Sequence, residues 1–356
     1  MTGRKSVRRL LVIFCSCLVG FSAVLTIWRQ SFFFSVRSGK AFIAGPKQLQ
    51  ARAEPAARAP MLCFGAEFEH HGFTTRLLAS IDEPVKHVVV VLAGEDPSIL
   101  ELEQTIRQDY PFCTIIRKKQ RIGNVGIWNT CMRYMLDVAK VPWALLLNND
   151  IMMPPGSLGN VSVEAQRVVQ NPEFCLGPTK LRNVRKMLWS ALVVSRRTAQ
   201  IAGFFDENIF PAYYEDNEFS IRIRKIHESG TPCRLFPVRV RNTFHHGPAD
   251  SPDYISGTVI YYNGGGDRSK KVIQDRANAW NPHYVALKWD CPLYLWEKCK
   301  NMHPFGRSDL SPKDWAFDPG YRHCLETGES GGQFGCRYNV SVLPREPASS
   351  QISRVS

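Results

Sequence analysis

The first sixty residues of this 356-residue chain contain almost no acidic side chains. Glu54 is the single acid there, against ten lysines and arginines, so this segment carries +9 of the formal net charge of +13. The rest of the chain carries only about +4. A nucleic-acid-binding protein needs its positive charge on the folded body, so this distribution argues against nucleic acid as a partner.

Charged residues are absent from residues 10–28, a run of nineteen mostly apolar residues. This length just spans the hydrocarbon core of a bilayer. Basic residues precede the run, namely Arg4, Lys5, Arg8 and Arg9, which favours a cytosolic N-terminus and a type II orientation. The alternative is a cleaved signal peptide, but the run is long for one and no small-x-small cleavage site follows Trp28. We therefore expect a transmembrane signal anchor.

A cysteine pair with zinc-finger spacing (Cys-x-x-Cys) is also absent, although the chain has eleven cysteines. Cys15 and Cys17 lie in the apolar run, which leaves nine, an odd number. In the oxidising lumen of the secretory pathway several of these would pair. Cys291 with Cys299 and Cys324 with Cys336 are the local candidates, although spacing does not fix the connectivity. Glycosylation sequons at Asn160 and Asn339 agree with a lumenal location.

The chain contains no evident internal repeat, and its composition changes near residue 60. Residues 29–60 are rich in Ala, Arg, Pro and Gln towards their end, which is typical of a stem that buries no core. We predict six segments. They are a cytosolic tail (1–9), the anchor (10–28), the stem (29–60), a catalytic domain (61–255), an acceptor-side extension of it (256–343) and a disordered tail (344–356).

Short apolar runs and helical stretches alternate through the folded body. Residues 86–93, 113–117 and 141–147 read as buried strands, and helices are expected at about 98–108 and 123–140. Further strands are predicted at 188–195 and 238–244, and helices at 196–202, 215–228 and 276–288. This alternation predicts a doubly wound, Rossmann-like α/β fold, a mostly parallel sheet flanked by helices.

The strand at 141–147 ends in Asn148, Asn149 and Asp150. Ligands of α/β sheets bind beyond the carboxyl ends of the strands, so this triplet points into the expected cleft. A carboxylate there suits Mg²⁺ or Mn²⁺, and the amides could add oxygen ligands. Taken alone, such a triplet is most often a turn.

Two acids, Glu215 and Asp216, open a predicted helix, and His245 and His246 follow a later strand. Acids are common in the first turn of any helix because the helix dipole favours them. A carboxylate in this position could also take a proton from a hydroxyl nucleophile. The histidines could complete a metal site, although such pairs are more often structural.

Taken in order, these motifs resemble a known family. The chain reads IGNVGIWNTCMRYML, WALLLNNDIMMPPGSL, then GFFDENIFPAYYED opening a helix, then HHG. This series resembles the inverting GT-A glycosyltransferases of family 2, especially their rhamnosyl- and galactofuranosyl-transferase-like branch, over roughly residues 85–250. The resemblance departs from the family where Ala93-Gly94-Glu95-Asp96 replaces Pro-x-Tyr-Asn, and where Asn148 replaces the first acid of Asp-x-Asp.

The resemblance implies roles for particular residues. Asp150 would hold the metal with His245 or His246, and Asp216 would be the catalytic base with Glu215 as its orienting or acceptor-binding neighbour. The nucleotide-sugar contacts implied are Asn124, Asn129, Asn148, Asn149 and Trp189, with Glu95 and Arg117 as weaker candidates for base and ribose contacts.

The expected activity is metal-assisted transfer, with inversion, of a hexose or N-acetylhexosamine from a nucleotide sugar, UDP-linked by family frequency, to a glycan hydroxyl. The expected location is the Golgi or ER membrane with the catalytic domain in the lumen; the oligomeric state stays open. The alternatives are a catalytically inactive glycan-binding relative and a metal-dependent phosphohydrolase, whose two-metal sites need more acids and histidines. Retaining chemistry also stays open. Trp280, Trp289, Trp296 and Trp315 are candidates for a sugar-stacking platform, although core packing is commoner.

Overall fold

The computed structural model describes residues 59–69, 72–181, 188–240 and 268–311. Contacts divide the chain into residues 1–51 and 52–356, and every described residue belongs to the second unit. The predicted anchor at 10–28, His245 and His246, Trp315, Cys324, Cys336 and Asn339 lie outside the described residues. Within the described ranges, no helix has the length and apolar composition needed to cross a bilayer.

Eight strands and seven α-helices make up the described part of the chain. The strands are β1 (Leu62–Ala66), β2 (Val88–Ala93), β3 (Cys113–Lys118), β4 (Trp143–Leu147), β5 (Phe174–Leu181), β6 (Leu188–Ser195), β7 (Arg234–Leu235) and β8 (Val238–Val240). The helices are α1 (Phe73–Ala79), α2 (Pro97–Asp109), α3 (Gly123–Arg133), α4 (Ser157–Val169), α5 (Arg196–Ile201), α6 (Glu215–Glu228) and α7 (Arg268–Trp289). A π-helical segment, Tyr134–Ala139, continues α3, and two 3₁₀ turns follow α7.

The strands form one mixed sheet in the order β3-β2-β1-β4-β6-β5-β7, with β8 also paired to β5. Strands β1 to β4 run parallel to one another, and β6 runs antiparallel to both of its neighbours, β4 and β5. Side chains of β1 and β2 alternate between two apolar clusters, one on each face of the sheet. Burial on both faces explains the continuous valine run of β2, since neither face can carry polar side chains.

The structure confirms the predicted α/β alternation and a mostly parallel sheet, and it corrects the position of the first strand. The run at 86–93 was expected to open the sheet, but β1 precedes it and lies at the centre, between β2 and β4. Ala59 already pairs with Val85 beside this strand. α1, α4, β5 and β7 are further elements that the sequence patterns did not predict. Because β1 and β4 are adjacent and parallel, their carboxyl ends are neighbours.

Three disulfides lie within the described residues. Cys63–Cys131 joins β1 to α3, Cys175–Cys233 joins β5 to the segment after α6, and Cys291–Cys299 closes a short loop after α7. The last of these confirms the local pairing expected from spacing. Cys113 is free, and burial raises the pKa of its thiol to about 12.

A buried cluster of charged side chains joins α6 and α7 to the loop between α5 and α6. Lys288 on α7 donates to Asp206 at 2.7 Å and to Glu218 at 2.8 Å, and all three side chains are almost fully buried. Arg222 also pairs with Glu218, and Tyr284 donates to Asp206 at 2.8 Å. Because each carboxylate has a cationic partner, the cluster ties these elements together without an unpaired charge.

Candidate functional site

A cavity of about 130 Å³ lies at the carboxyl ends of β1 and β4. Its walls come from four segments: residues 65–68, the first turns of α3, residues 148–150, and residues 211–213 with Glu215. The described structure therefore brings together Asp150 and Glu215, which are 65 positions apart in the sequence. Binding sites of open α/β sheets occupy this position because the loops that follow the strands converge there.

Glu67, which directly follows β1, fixes the start of α3 against the sheet. Its Oε1 accepts hydrogen bonds of 2.5 Å from the backbone N–H groups of Ile122 and Gly123, and Arg121 pairs with its Oε2 at 3.3 Å. A carboxylate at a helix N-terminus satisfies donors that have no partner inside the helix. Gly123 has φ +68°, and a Cβ there would lie 2.7 Å from the carbonyl oxygen of Pro211. Glycine at this position thus permits the start of α3 to pack closely against Pro211 in the cavity wall.

Asn124 links α3 to the acidic start of α6. Its backbone N–H donates to the carbonyl of Pro211 at 2.8 Å, and its side-chain Nδ2 donates to Glu215 Oε1, also at 2.8 Å. Asn124 also lines the cavity, and its contact with a nucleotide stays a prediction. The bond also fixes the orientation of the Glu215 carboxyl.

The Glu215 carboxyl is buried in the cavity wall, and its environment favours protonation. Burial first, and then the neighbouring negative charge of Asp216, raise its pKa to about 7. Its second oxygen, Oε2, is buried without a hydrogen-bond partner among the described residues. Asp216 is half-buried and accepts from the backbone N–H of Asn217 at 2.8 Å. Asp216 adjoins the cavity through Glu215 but is not one of the residues that line it.

Two tyrosines with left-handed backbone place Glu215 in the wall. Tyr213 and Tyr214 both have φ +74°, which is unfavourable for residues with a Cβ and is often found at functional sites. Asn281 on α7 is fully buried, and its Nδ2 donates to the carbonyls of Ala212 and Tyr213 at 3.2 Å each. Helix α7 therefore helps to hold this strained segment in place.

The polar triplet after β4 supplies another part of the cavity wall. Asn148, Asn149 and Asp150 all line the cavity, and Asp150 is 5% exposed. Asn148 donates its backbone N–H to Ser190 on β6 at 2.9 Å, and Asn149 donates its side-chain Nδ2 to the hydroxyl of Thr74 at 3.3 Å. The Oδ1 atom of Asn148 is buried and accepts no hydrogen bond within the described residues. These bonds fix the backbone that carries Asp150.

Oxygen atoms of Asp150, Asn148 and Glu215 are the donors that a hard divalent cation prefers. Two of them, Asn148 Oδ1 and Glu215 Oε2, are buried oxygens without partners among the described residues, which fits a cation or a polar ligand between the walls. Among the described residues, no group of three or more His, Cys, Asp or Glu side chains is arranged to hold a metal. The predicted histidine ligand lies in 241–267, outside those residues.

Four other predicted contacts lie away from this cavity. Asn129 is fully buried and bonds to the backbone of Phe205 and to Glu207, so it joins α3 to the Gly-Phe-Phe-Asp-Glu turn. Arg117 pairs with Glu103 at 3.0 Å and donates to the carbonyl of Leu92. Glu95 is exposed after β2, and Trp189 packs against the core. The prediction for Glu95 depended on β2 being the first strand; β1 takes that place, and Glu67 and Phe68 follow it into the cavity.

The fold and the site define a mixed α/β domain with acids and amides around a cavity at its strand ends. No family model matches the chain. Its sequence is similar to that of a galactofuranosyl glycosyltransferase from Leishmania donovani, with 21% identity over 259 aligned residues. The alignment covers 52% of this chain and 59% of the relative, so the chain spans about three fifths of that protein's length. In sequence, the chain is therefore similar to a glycosyltransferase.

Solved structures give weaker likenesses. A mannosyltransferase from Pyrobaculum calidifontis, in complex with GDP-Man and Mn²⁺, is 15% identical with a TM-score of 0.41, over 76% of this chain and 74% of that one. Glucosyl-3-phosphoglycerate synthase from Mycobacterium tuberculosis, with Mn²⁺ and UDP, is 12% identical with a TM-score of 0.35, over 53% and 73%. At these TM-scores neither likeness supports a conclusion about this chain.

Proposed function

We propose that this chain is a glycosyltransferase of the GT-A type, which transfers a hexose or N-acetylhexosamine from a nucleotide sugar to a glycan hydroxyl with inversion. One observation carries the proposal. Asp150 and Glu215, with Asp216 beside it, meet at one cavity at the carboxyl ends of parallel strands. The similarity to a galactofuranosyl glycosyltransferase supports the same reaction class. A UDP-linked donor is the first choice.

The donor diphosphate would lie between the two walls. Asp150 and Asn148 would hold Mn²⁺ or Mg²⁺ with oxygen ligands, joined by His245 or His246, and the bound cation would neutralise charge on the departing diphosphate. Glu67 fixes the start of α3 and the neighbouring wall. Asn124 and Asn149 line the same cavity and could donate hydrogen bonds to the nucleotide.

The acidic pair at the start of α6 would supply the proton acceptor. As the acceptor oxygen attacks the anomeric carbon and the bond from that carbon to the phosphate oxygen breaks, a carboxylate takes the hydroxyl proton. We assign this role to Asp216, with Glu215 orienting the acceptor. Glu215 lines the cavity and Asp216 adjoins it, so both carboxylates are tested. Of Glu215→Gln and Asp216→Asn, the variant that loses more of the transfer rate identifies the carboxylate that takes the proton.

We further propose a type II anchor at residues 10–28 and a lumenal catalytic domain in the Golgi or ER. The three disulfides among the described residues support an oxidising compartment. Asn160, the first residue of a sequon, is exposed on α4 and accessible to glycosylation. Endoglycosidase treatment of the chain from secretory cells tests this placement, which an unglycosylated, protease-accessible chain would contradict.

A screen of nucleotide sugars tests the reaction. The purified chain is incubated with each donor and excess Mn²⁺, without acceptor, and released nucleoside diphosphate is measured; EDTA provides the control. We expect slow hydrolysis of one donor that EDTA abolishes. Glycan binding without hydrolysis of any donor would instead favour the inactive glycan-binding alternative.

A further inference from the structure

We propose that the disulfide-closed loop from Cys291 to Cys299 carries the acceptor subsite, in which Tyr294 and Trp296, together with Tyr214, bind a sugar ring beside the cavity. This inference rests on the proposed function, since it assigns the acceptor of that transfer. Three observations support the inference: the positions of the aromatic rings, the exposure of Tyr294, and the hydrogen bonds that attach the loop to α6.

The loop is short and firmly attached. Its two cysteines are eight positions apart and bonded to each other. Backbone hydrogen bonds from Lys300 to Asp290 and from Asn301 to Trp289 close its base. From α6, Lys225 donates to the carbonyl of Cys299 at 3.0 Å, and Arg224 donates to the carbonyl of Trp296. The loop is therefore held on the same helix whose first residues are Glu215 and Asp216.

Three aromatic rings form a continuous cluster at this point. The ring centroids of Tyr214 lie 6.3 Å from Tyr294 and 6.2 Å from Trp296, and those of Tyr294 and Trp296 are 6.0 Å apart. Tyr214 directly follows Tyr213, which lines the cavity. The cluster thus continues from the cavity wall along the start of α6 onto the loop.

One ring of the cluster is exposed to solvent. Tyr294 is 49% exposed, whereas Tyr214 and Trp296 are partly buried and pack against the apolar core. Tyr294 also has φ +62°, so the loop presents this ring from an unfavourable backbone conformation. Trp280 and Trp289 belong to the core, the commoner role expected for these tryptophans, and this leaves the partly buried Trp296 as the described tryptophan that fits a sugar platform.

The chemistry of this cluster fits a sugar better than a wholly apolar partner. An aromatic ring face packs against the C–H face of a pyranose, and the tyrosine hydroxyls and the indole N–H can bond to its hydroxyl groups. An acceptor hydroxyl must also reach the carboxylates at residues 215 and 216, which follow Tyr213 and Tyr214 directly. A ring bound on this cluster would lie next to those carboxylates.

Saturation-transfer NMR on the purified full chain tests the subsite. The probes are methyl β-D-galactopyranoside and methyl α-D-mannopyranoside at millimolar concentration, with wild type, Tyr294→Ala, Tyr294→Phe and Phe112→Ala. We expect Tyr294→Ala to weaken binding of at least one glycoside by about fivefold or more, since it removes a stacking ring. Tyr294→Phe keeps the ring and should retain binding. Phe112→Ala removes an exposed aromatic ring next to β3, distant in sequence from the loop, and should bind as wild type.

Different outcomes contradict the subsite and the proposed function. Equal glycoside binding by wild type and Tyr294→Ala, or no binding of either probe by wild type, would overturn the subsite, even if the wild type hydrolyses a nucleotide sugar. Tyr294-dependent binding by a wild type that hydrolyses no donor would uphold the subsite and contradict the transferase. A change in oligomer size on Tyr294→Ala with unchanged glycoside binding would assign the cluster to a protein contact and overturn the proposal.

Discussion

Asn124 Nδ2 donates a 2.8 Å hydrogen bond to Glu215 Oε1, and this bond joins the start of α3 to the start of α6 in the wall of the cavity. The two residues are 91 positions apart. The loop after β4 carries Asp150, which lines the same cavity as Glu215.

The raised pKa of Glu215 predicts how stability changes with pH. Between pH 4.5, its ordinary pKa, and about 7, the folded chain keeps a proton that the unfolded chain releases. Its contribution to the free energy of unfolding is therefore full below pH 4.5 and falls as pH rises, by about 3 kcal/mol in total. Glu215→Gln should lose this dependence. Urea unfolding from pH 4.5 to 8 measures it, with exposed Glu101→Gln as control; parallel curves for wild type and Glu215→Gln would contradict the shift.

The buried charge cluster predicts a large effect of removing its lysine. Lys288→Met leaves Asp206 and Glu218 buried without that cation, so we expect a loss of about 3–5 kcal/mol in the free energy of unfolding. Arg307→Met breaks an ion pair with Asp309 that is exposed to solvent and should not change it measurably. Urea unfolding at pH 7 compares the two. Equal midpoints for both variants would show that the cluster does not stabilise the fold.

The Cys63–Cys131 bridge predicts a stability difference between two cysteine replacements. It closes a loop of 68 residues, so replacing both cysteines by alanine should lower the free energy of unfolding by about 4 kcal/mol. Replacing the free Cys113 by alanine should lower it much less. Denaturant unfolding compares them, and non-reducing peptide mapping should recover the 63–131 peptide pair. A map with Cys63 alkylated would contradict the bridge.

The hydrogen bonds of Asn281 predict that helix α7 influences the rate of transfer at the cavity. Asn281→Ala removes two hydrogen bonds that hold the carbonyls of Ala212 and Tyr213, so the segment carrying Glu215 should loosen. We expect transfer to fall roughly tenfold through kcat, because the reacting groups lose their fixed orientation. Asn278→Ala, an exposed position on the same helix, serves as control. A change in stability with unchanged kcat would give Asn281 a structural role only.

Local patterns predicted the elements that have strong periodicity. The valine run of β2, the helix from Glu215 to Glu228 and the strand leading to Asp150 follow from apolar spacing and flanking turns. The run MLCFGA also satisfies the rule for a short buried strand, and it would have led to Glu67, but it directly follows the Ala- and Pro-rich stem. Because β1 was not predicted, the contact expected after the first strand was assigned to Glu95, which follows β2. The residue in that place is Glu67, which follows β1.

Long-range contacts could not be predicted from spacing. Asn129 occurs in the same motif as Asn124, yet it bonds to Phe205 and Glu207, more than 70 positions away, while Asn124 turns to the cavity. Adjacent acids in the sequence likewise have different surroundings, since Glu215 is buried in the wall and Asp216 is half-buried beside it. The packing of α3 and α6 on the sheet decides these differences.

The most direct test of the proposed reaction is the rate of sugar transfer by Asp216→Asn, with donor affinity measured on the same protein. The proposed mechanism predicts that transfer falls by roughly 10²-fold or more while the Kd for the nucleotide sugar changes little, because the variant loses a proton acceptor and keeps the donor site. A transfer rate near that of the wild type, with donor binding intact, would contradict it.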